Sequence, residues 1–154
     1  MTMLKFALMP LLALVLFLPV PAMAQERGTP DEAQAMVADA IAYTQEVGAQ
    51  KAFAEMNAGD PRFRDRDLYI FVVAADGAVV AHAADSGRVG LDARTLRDAA
   101  DTAYGIMIVD HATPEGVWVE YLREDPTTGD VTPKASWVVR HGDYIFGCGV
   151  YLSD

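Results

Sequence analysis

Residues 68–73 read LYIFVV, a β-branched and aromatic run with few polar residues on either face. Such a run is typical of a central strand that is covered on both sides. The Asp76-Gly77 pair that follows is a strong hairpin-turn signal, and residues 79–83 read as the return strand. A buried hairpin therefore anchors the predicted sheet.

A long helix is predicted before this hairpin. Thr29 reads as its N-cap, Pro30 as its first residue, and Glu32 as the partner that completes a capping box. One apolar stripe then recurs at three- and four-residue spacing, and Gly48 ends it. The stripe comprises Ala33, Met36, Val37, Ala40, Ile41, Thr44 and Val47. A shorter helical piece is predicted over residues 49–56.

Three more strands are predicted after the hairpin, over residues 116–122, 134–140 and 144–152. Residues 104–111 fit a helix or a strand equally well. Residues 87–104 show no sustained period, which predicts a loop with a short helical turn that is long enough to act as a lid. The predicted fold class is α+β, with a long N-terminal helix packed on a five-stranded antiparallel sheet.

The N terminus has the pattern of an export signal. Lys5 precedes an apolar run over residues 6–20, and Ala22-Met23-Ala24 is an A-x-A cleavage site. We expect residues 1–24 to be a signal peptide cleaved after Ala24, and residues 25–154 to form one periplasmic or secreted domain. An uncleaved N-terminal anchor is the alternative.

The formal net charge is −10, which argues against nucleic acid and anionic membrane surfaces as partners. Cys148 is the single cysteine, so the sequence predicts no intramolecular disulfide, thiolate zinc site or iron–sulfur centre. The histidines lack metal-ligand spacing, and no nucleophile elbow or phosphate-binding loop is present. We therefore expect no metal, no cofactor and no enzymatic activity.

Four segments together are similar to one known family. They read AFAEMN, DLYIFVVAADGAVVAHAA, GVWVEY and PKASWVVRHGDYIFGCGVYL. They resemble the single Cache domain, type 2, of bacterial extracytoplasmic sensors, from about Asp31 to Leu152. The resemblance implies a PAS-like fold with a pocket on the sheet face opposite the long helix. It also implies binding of a small metabolite, often a short-chain carboxylate.

Two features depart from that family. The sequence ends two residues after the last predicted strand, so we expect a standalone binding domain without its own signalling module. Cys148 stands between two glycines where the family pattern has serine. A buried, inert thiol is the favoured interpretation of Cys148 over a reactive one.

The candidate site begins on the hairpin. Alternation places Tyr69 and Phe71 on one face of their strand, and the aromatic face suits a pocket, although plain core packing explains it equally well. His82 lies on the return strand between alanines, where an imidazole could donate to a carboxylate or remain a hydrogen-bonded core residue.

The later strands add four candidates. Trp118 and Tyr121 match the family pattern, but a regular strand would place them on opposite faces. Lys134 opens an apolar strand, and an inward ammonium there would need a counter-charge such as a carboxylate ligand. The alternative is a solvated lysine. Ser136 shares its face and could add a hydrogen bond.

We therefore predict an exported domain that binds a small organic molecule, most simply a short-chain carboxylate, and reports to a membrane receptor or kinase. The ligand lies under the loop formed by residues 87–104. The alternative is a ligand-free protein–protein interaction module, in which the PAS-like sheet or the N-terminal helix pairs with another protein. It predicts a filled pocket and an exposed apolar stripe on that helix. A homodimer through the N-terminal helix is a further expectation.

Overall fold

The computed structural model describes residues 26–125 and 128–152. Its helices are α1 (Pro30–Val47), α2 (Ala49–Asn57) and α3 (Tyr104–His111), with single 3-10 turns at Pro61–Phe63, Ser86–Arg88 and Ala93–Thr95. Its strands are β1 (Arg64–Asp65), β2 (Leu68–Ala74), β3 (Val79–His82), β4 (Val117–Glu124), β5 (Val131–His141) and β6 (Tyr144–Tyr151). The predicted signal peptide lies outside the described residues.

The strands form one antiparallel sheet in the order β3-β2-β6-β5-β4, and the two-residue strand β1 pairs with the free part of β2. The last strand of the chain is therefore central, because β6 joins the β2–β3 hairpin to the β4–β5–β6 meander. The predicted α+β class and five-stranded sheet are confirmed, and β1 is a short addition that the sequence did not indicate.

Helix α1 begins and packs as its sequence predicts. The Thr29 side chain accepts from the Glu32 amide, and Glu32 accepts in return from the Thr29 amide at 2.8 Å, which completes the capping box. Its stripe buries Ala33, Val37, Ala40 and Thr44 against the sheet. Each fully buried apolar side chain of Val size or larger contributes about 1.5–3 kcal/mol.

The two faces of β2 serve two different layers. Leu68, Ile70 and Val72 pack beneath α1 and α2, whereas Phe71 and Val73 point to the other face. Residues 104–111, which the sequence left open between helix and strand, form α3. This helix covers the second face together with the 3-10 turn at Ala93–Thr95.

Across residues 26–125 and 128–152, no helix combines the length and the apolar character that crossing a membrane requires.

Candidate functional site

A small cavity lies between the second face of the sheet and its cover. Its volume is about 50 Å³, which is room for a few non-hydrogen atoms. Its apolar lining comprises Phe71, Val73, Val79, Ala93, Leu96, Gly105 and Ile108, and its polar lining comprises Tyr69, His82, Arg88, Tyr104, Tyr121 and Arg123. Four of the seven predicted site residues therefore line one cavity: Tyr69, Phe71, His82 and Tyr121.

Two glycines of β6 make room for this side of the sheet. A Cβ on Gly147 would lie 2.2 Å from the Phe71 ring, and one on Gly149 would lie 2.2 Å from Lys134 Cε. Both distances are far below van der Waals contact, so larger residues would displace these side chains. The absence of side chains at these two positions thus leaves room for Phe71, which lines the cavity, and for Lys134.

Lys134 lies behind the cavity wall rather than in its lining. The side chain is buried, and its Nζ donates to the Tyr69 hydroxyl at 2.9 Å. The same ammonium lies 4.3 Å from the centre of the Tyr69 ring and 4.4 Å from that of Tyr151. No carboxylate in the described part of the chain lies within ion-pairing distance of Nζ. The ammonium is therefore held by aromatic faces and one hydroxyl.

Ser136 also contacts a tyrosine that lines the cavity. Its hydroxyl lies 2.8 Å from that of Tyr121, and the Tyr121 ring stacks on Tyr104 with 4.3 Å between ring centres. Burial raises the pKa of Tyr121, so its phenol stays protonated and able to donate. Tyr69 and Tyr121 thus both line the cavity, and the hydroxyl of each contacts a buried polar residue, Lys134 or Ser136.

His82 is held as a neutral imidazole with a defined tautomer. Burial, followed by the nearby charge of Arg88, lowers its pKa to about 4. Its Nδ1 accepts from the Asp85 backbone amide at 3.0 Å, so the proton of the neutral ring resides on Nε2. His82 is therefore a fixed hydrogen-bond donor at neutral pH.

Two arginines supply the positive charge of the cavity. Arg123 donates to the Tyr104 hydroxyl at 3.4 Å, and no carboxylate among the described residues pairs with it. Arg88 has a buried Nε without a hydrogen bond in the described ranges, 3.4 Å from a carboxylate oxygen of Asp85. The guanidinium groups retain donors for an anion.

The same two arginines line two outer recesses, which shows that they stand at the mouth of the cavity. One recess, of about 180 Å³, also includes Tyr151 and Glu124. The other, of about 400 Å³, includes Arg97 and Asp98. The apolar interior and the charged mouth are thus separate parts of one site.

Trp118 lies away from the cavity. The register between β4 and β5 is regular over their whole length, so Trp118 and Tyr121 point to opposite faces. Trp118 packs on the α1 side, with its ring centre 5.3 Å from that of Trp137. Cys148 points to the α1 side as well, where it contacts Met36.

The sequence reasoning missed Arg88, Tyr104 and Arg123. Arg123 could have been found, because it follows Tyr121 by two residues and shares its strand face once β4 is extended to Glu124. Arg88 lies in an irregular segment without periodicity. Within the described ranges, no group of three or more His, Cys, Asp or Glu side chains is placed to hold a metal.

Comparison with known proteins identifies related folds. A methyl-accepting chemotaxis protein from Vibrio parahaemolyticus superimposes with a TM-score of 0.67 and 19% identity, over 80% of this chain and 88% of that one. A Cache chemosensory domain, described by its structural basis for carboxylic acid recognition, gives a TM-score of 0.64 and 18% identity over 80% and 92%.

A periplasmic sensor domain of a chemotaxis protein gives a TM-score of 0.59 and 21% identity over 80% of this chain and 90% of that chain. No protein of curated function matches. At these identities the likenesses establish the fold alone.

The profile of the single Cache domain 2 matches residues 22–154, which is most of the chain. Domains of this kind are extracytoplasmic sensor modules. The match agrees with the antiparallel sheet, the long N-terminal helix and the cavity on the opposite face. The chain belongs to the single Cache domain 2 family.

Proposed function

We propose that this sensor domain binds a short-chain monocarboxylate in the cavity and that a membrane receptor or kinase reads its occupancy. The observation that carries the proposal is Arg123. Arg123 lines the cavity, its guanidinium donates to the Tyr104 hydroxyl, and no described carboxylate pairs with it. A guanidinium binds carboxylate in a bidentate geometry, so an organic acid is its natural counter-ion.

The polar donors around the cavity suit one carboxylate group. Neutral His82 offers Nε2–H. Tyr69 already accepts from Lys134, so its own proton is free to be donated to a ligand. In such a chain the Lys134 ammonium donates to the Tyr69 hydroxyl, which in turn donates to the ligand oxygen. The first hydrogen bond polarises the hydroxyl and so strengthens the second. Lys134 thus stabilises the anion from behind Tyr69, without contact, which revises the direct charge balance expected from the sequence.

The interior of the cavity sets the size and polarity of the ligand. About 50 Å³ bounded by Phe71, Val79 and Ile108 accommodates a short hydrocarbon tail. No Asp or Glu is among the lining residues. A second charge that entered this apolar interior, whether the ammonium of an amino acid or the second carboxylate of a diacid, would be buried without a partner, because Glu124 lines only the recesses outside it. Acetate and propionate fit these limits.

The related Cache chemosensory domain described for carboxylic acid recognition supports this ligand class. The interaction-module alternative expected a filled pocket and an exposed apolar stripe on α1. The stripe instead packs against the sheet, with Ala33, Val37, Ala40 and Thr44 buried and Met36, Ile41 and Val47 partly buried, which favours ligand binding. A homodimer through α1 remains a prediction, which sedimentation of the purified protein would test.

A thermal-shift series tests the proposal with acetate, propionate, butyrate, alanine and succinate. Propionate at 100 times its dissociation constant should stabilise the protein by about 2.7 kcal/mol, whereas alanine and succinate should not. Arg123→Gln should abolish the shift, and Arg64→Gln, an exposed arginine of β1, should preserve it. No shift with any short acid, or an equal shift in Arg123→Gln, contradicts the proposal.

A further inference from the structure

The residues just before α1 are fastened to the end of the sheet beside the site. We call residues 26–29 the N-terminal strap. The Gly28 amide donates to a buried Asp67 carboxylate oxygen at 2.7 Å, and Arg66 donates to the Arg27 carbonyl at 3.1 Å. The Arg27 guanidinium pairs with Asp125, whose side chain is fully buried.

The strap also fits tightly against β2. A Cβ on Gly28 would lie 2.2 Å from Leu68 Cγ, so only glycine allows the backbone to approach this closely. A small displacement of this end of β2 therefore changes the contacts of the strap, because close-packed atoms cannot shift without altering their contacts.

One connection from the site to the strap runs along the end of β4. Three consecutive residues join the site to the strap: Arg123 lines the cavity and both outer recesses, Glu124 lines the same two recesses, and Asp125 pairs with Arg27. The Glu124 carbonyl accepts from the Tyr151 hydroxyl at 2.9 Å. Because Arg123 and Asp125 are separated by a single residue, a shift of the Arg123 backbone on anion binding would reach the residue that pairs with the strap.

A second connection runs through side chains. Tyr69 lines the cavity and accepts from Lys134, and the Lys134 ammonium lies 4.4 Å from the centre of the Tyr151 ring. The Arg27 guanidinium lies 5.7 Å from the same ring centre. Tyr151 is thus shared by the cation behind the cavity and the cation of the strap.

We propose that occupancy of the cavity is coupled to docking of the N-terminal strap, so that the segment leading into α1 carries the report of binding. The proposal rests on the proposed carboxylate site and adds where its signal leaves the domain. Coupling is reciprocal, so propionate must tighten the strap by the factor by which the docked strap tightens propionate binding.

Hydrogen exchange tests whether propionate tightens the docking of the strap. In the purified protein, saturating propionate should slow exchange of the Gly28 amide by about tenfold, within the usual range for coupled sites. The Gly28 hydrogen bond to Asp67 reports docking directly. Propionate that binds by calorimetry yet leaves Gly28 exchange unchanged overturns the coupling while preserving the proposed function.

The affinity for propionate tests whether the docked strap tightens ligand binding. Arg27→Ala should weaken propionate binding by about fivefold or more, although Arg27 does not line the cavity. The matched control is Arg62→Ala, because Arg62 also stacks over a tyrosine, Tyr43, and also pairs with carboxylates, but beside α1. Equal affinities in both variants overturn the proposal.

A ligand-free measurement separates failure of the coupling from failure of the ligand assignment. In urea unfolding, the combined effect of Arg27→Ala and Arg123→Ala on the unfolding equilibrium constant should differ from the product of the single effects by more than about threefold. The effects of Arg62→Ala and Arg123→Ala on the same equilibrium constant should simply multiply in the double variant. If no short acid binds, the proposed function fails, and this cycle alone decides the coupling: a simple product overturns it.

Discussion

The ammonium of Lys134 lies 2.9 Å from the Tyr69 hydroxyl and 4.3 Å from the centre of the same ring, with 1% of the residue exposed. A buried cation that lacks a carboxylate partner is costly, because aromatic faces replace only part of its hydration. An anion on the cavity side of Tyr69 would offset that cost. The Lys134 ammonium is therefore expected to lower the stability of the ligand-free protein and to raise its affinity for an anion.

Lys134→Met is expected to affect stability and ligand affinity in different ways. Met fills a similar volume without a charge, so the free energy of unfolding should stay level or rise by about 1 kcal/mol. Affinity for propionate should fall by about tenfold, because Tyr69 loses the donor that polarises it. Urea unfolding and calorimetry measure the two effects.

Lys51→Met serves as the control for this change, since Lys51 is exposed and lies 4.0 Å from Glu55 on α2. It should alter neither quantity appreciably. A Lys134→Met protein that keeps full affinity would show that the ammonium plays no part in binding.

Most of the fold could be predicted because local signals agree with the tertiary structure. The capping box at Thr29 and the apolar stripe of α1 specify a helix, and the alternation in β2 assigns its two faces correctly. The helix at residues 104–111 could not be assigned, since a short apolar run has no decisive period. In the folded protein this helix packs against β4 and the Ala93–Thr95 turn.

The candidate site was predicted in part from strand alternation and in part from the family pattern. Alternation placed Tyr69 and Phe71 on the face that lines the cavity, whereas Tyr121 was chosen with Trp118 from the family pattern, and alternation alone could not decide between those two. Arg88 does not, because its position depends on how an irregular segment crosses the sheet. Lys134 was found for a sound reason, the cost of burying its charge, but the hydrogen bond that places it behind Tyr69 is a tertiary fact.

Gly149→Ala is expected to damage the site through packing alone. The new methyl would meet Lys134 Cε at 2.2 Å and Ser136 Oγ at 2.6 Å, so both polar side chains must move. Overpacking of this kind costs about 1–3 kcal/mol, and loss of the Lys134 contact to Tyr69 should also weaken propionate binding. Thermal unfolding and calorimetry provide both readings.

Gly87→Ala is the comparison for this substitution, because its new methyl would meet only the exposed Asp85 carboxylate, at 3.1 Å. A stability loss in Gly87→Ala as large as that in Gly149→Ala would show that a general glycine effect, rather than the crowding of Lys134, is responsible.

Cys148 is expected to be inert in the folded protein. The residue is fully buried beneath α1, and burial raises the pKa of its thiol to about 12, so almost no thiolate exists at neutral pH. Iodoacetamide should therefore modify Cys148 only after unfolding, which mass spectrometry across a urea series would follow. Rapid labelling of the native protein would instead indicate a reactive thiol.

The buried imidazole of His82 predicts how stability depends on pH. Burial lowers its pKa from the ordinary 6.5 to about 4, so between these values the unfolded chain binds a proton that the folded chain does not. The free energy of unfolding is then retained above pH 6.5 and falls as the pH drops toward 4, by at most about 3 kcal/mol. Urea unfolding at several pH values would measure this slope.

His82→Gln should flatten the pH dependence of stability between pH 6.5 and 4, because glutamine cannot take up the proton. His141→Gln, at an exposed position, should leave that dependence steep. Parallel curves for wild type and His82→Gln would show that other groups control acid stability.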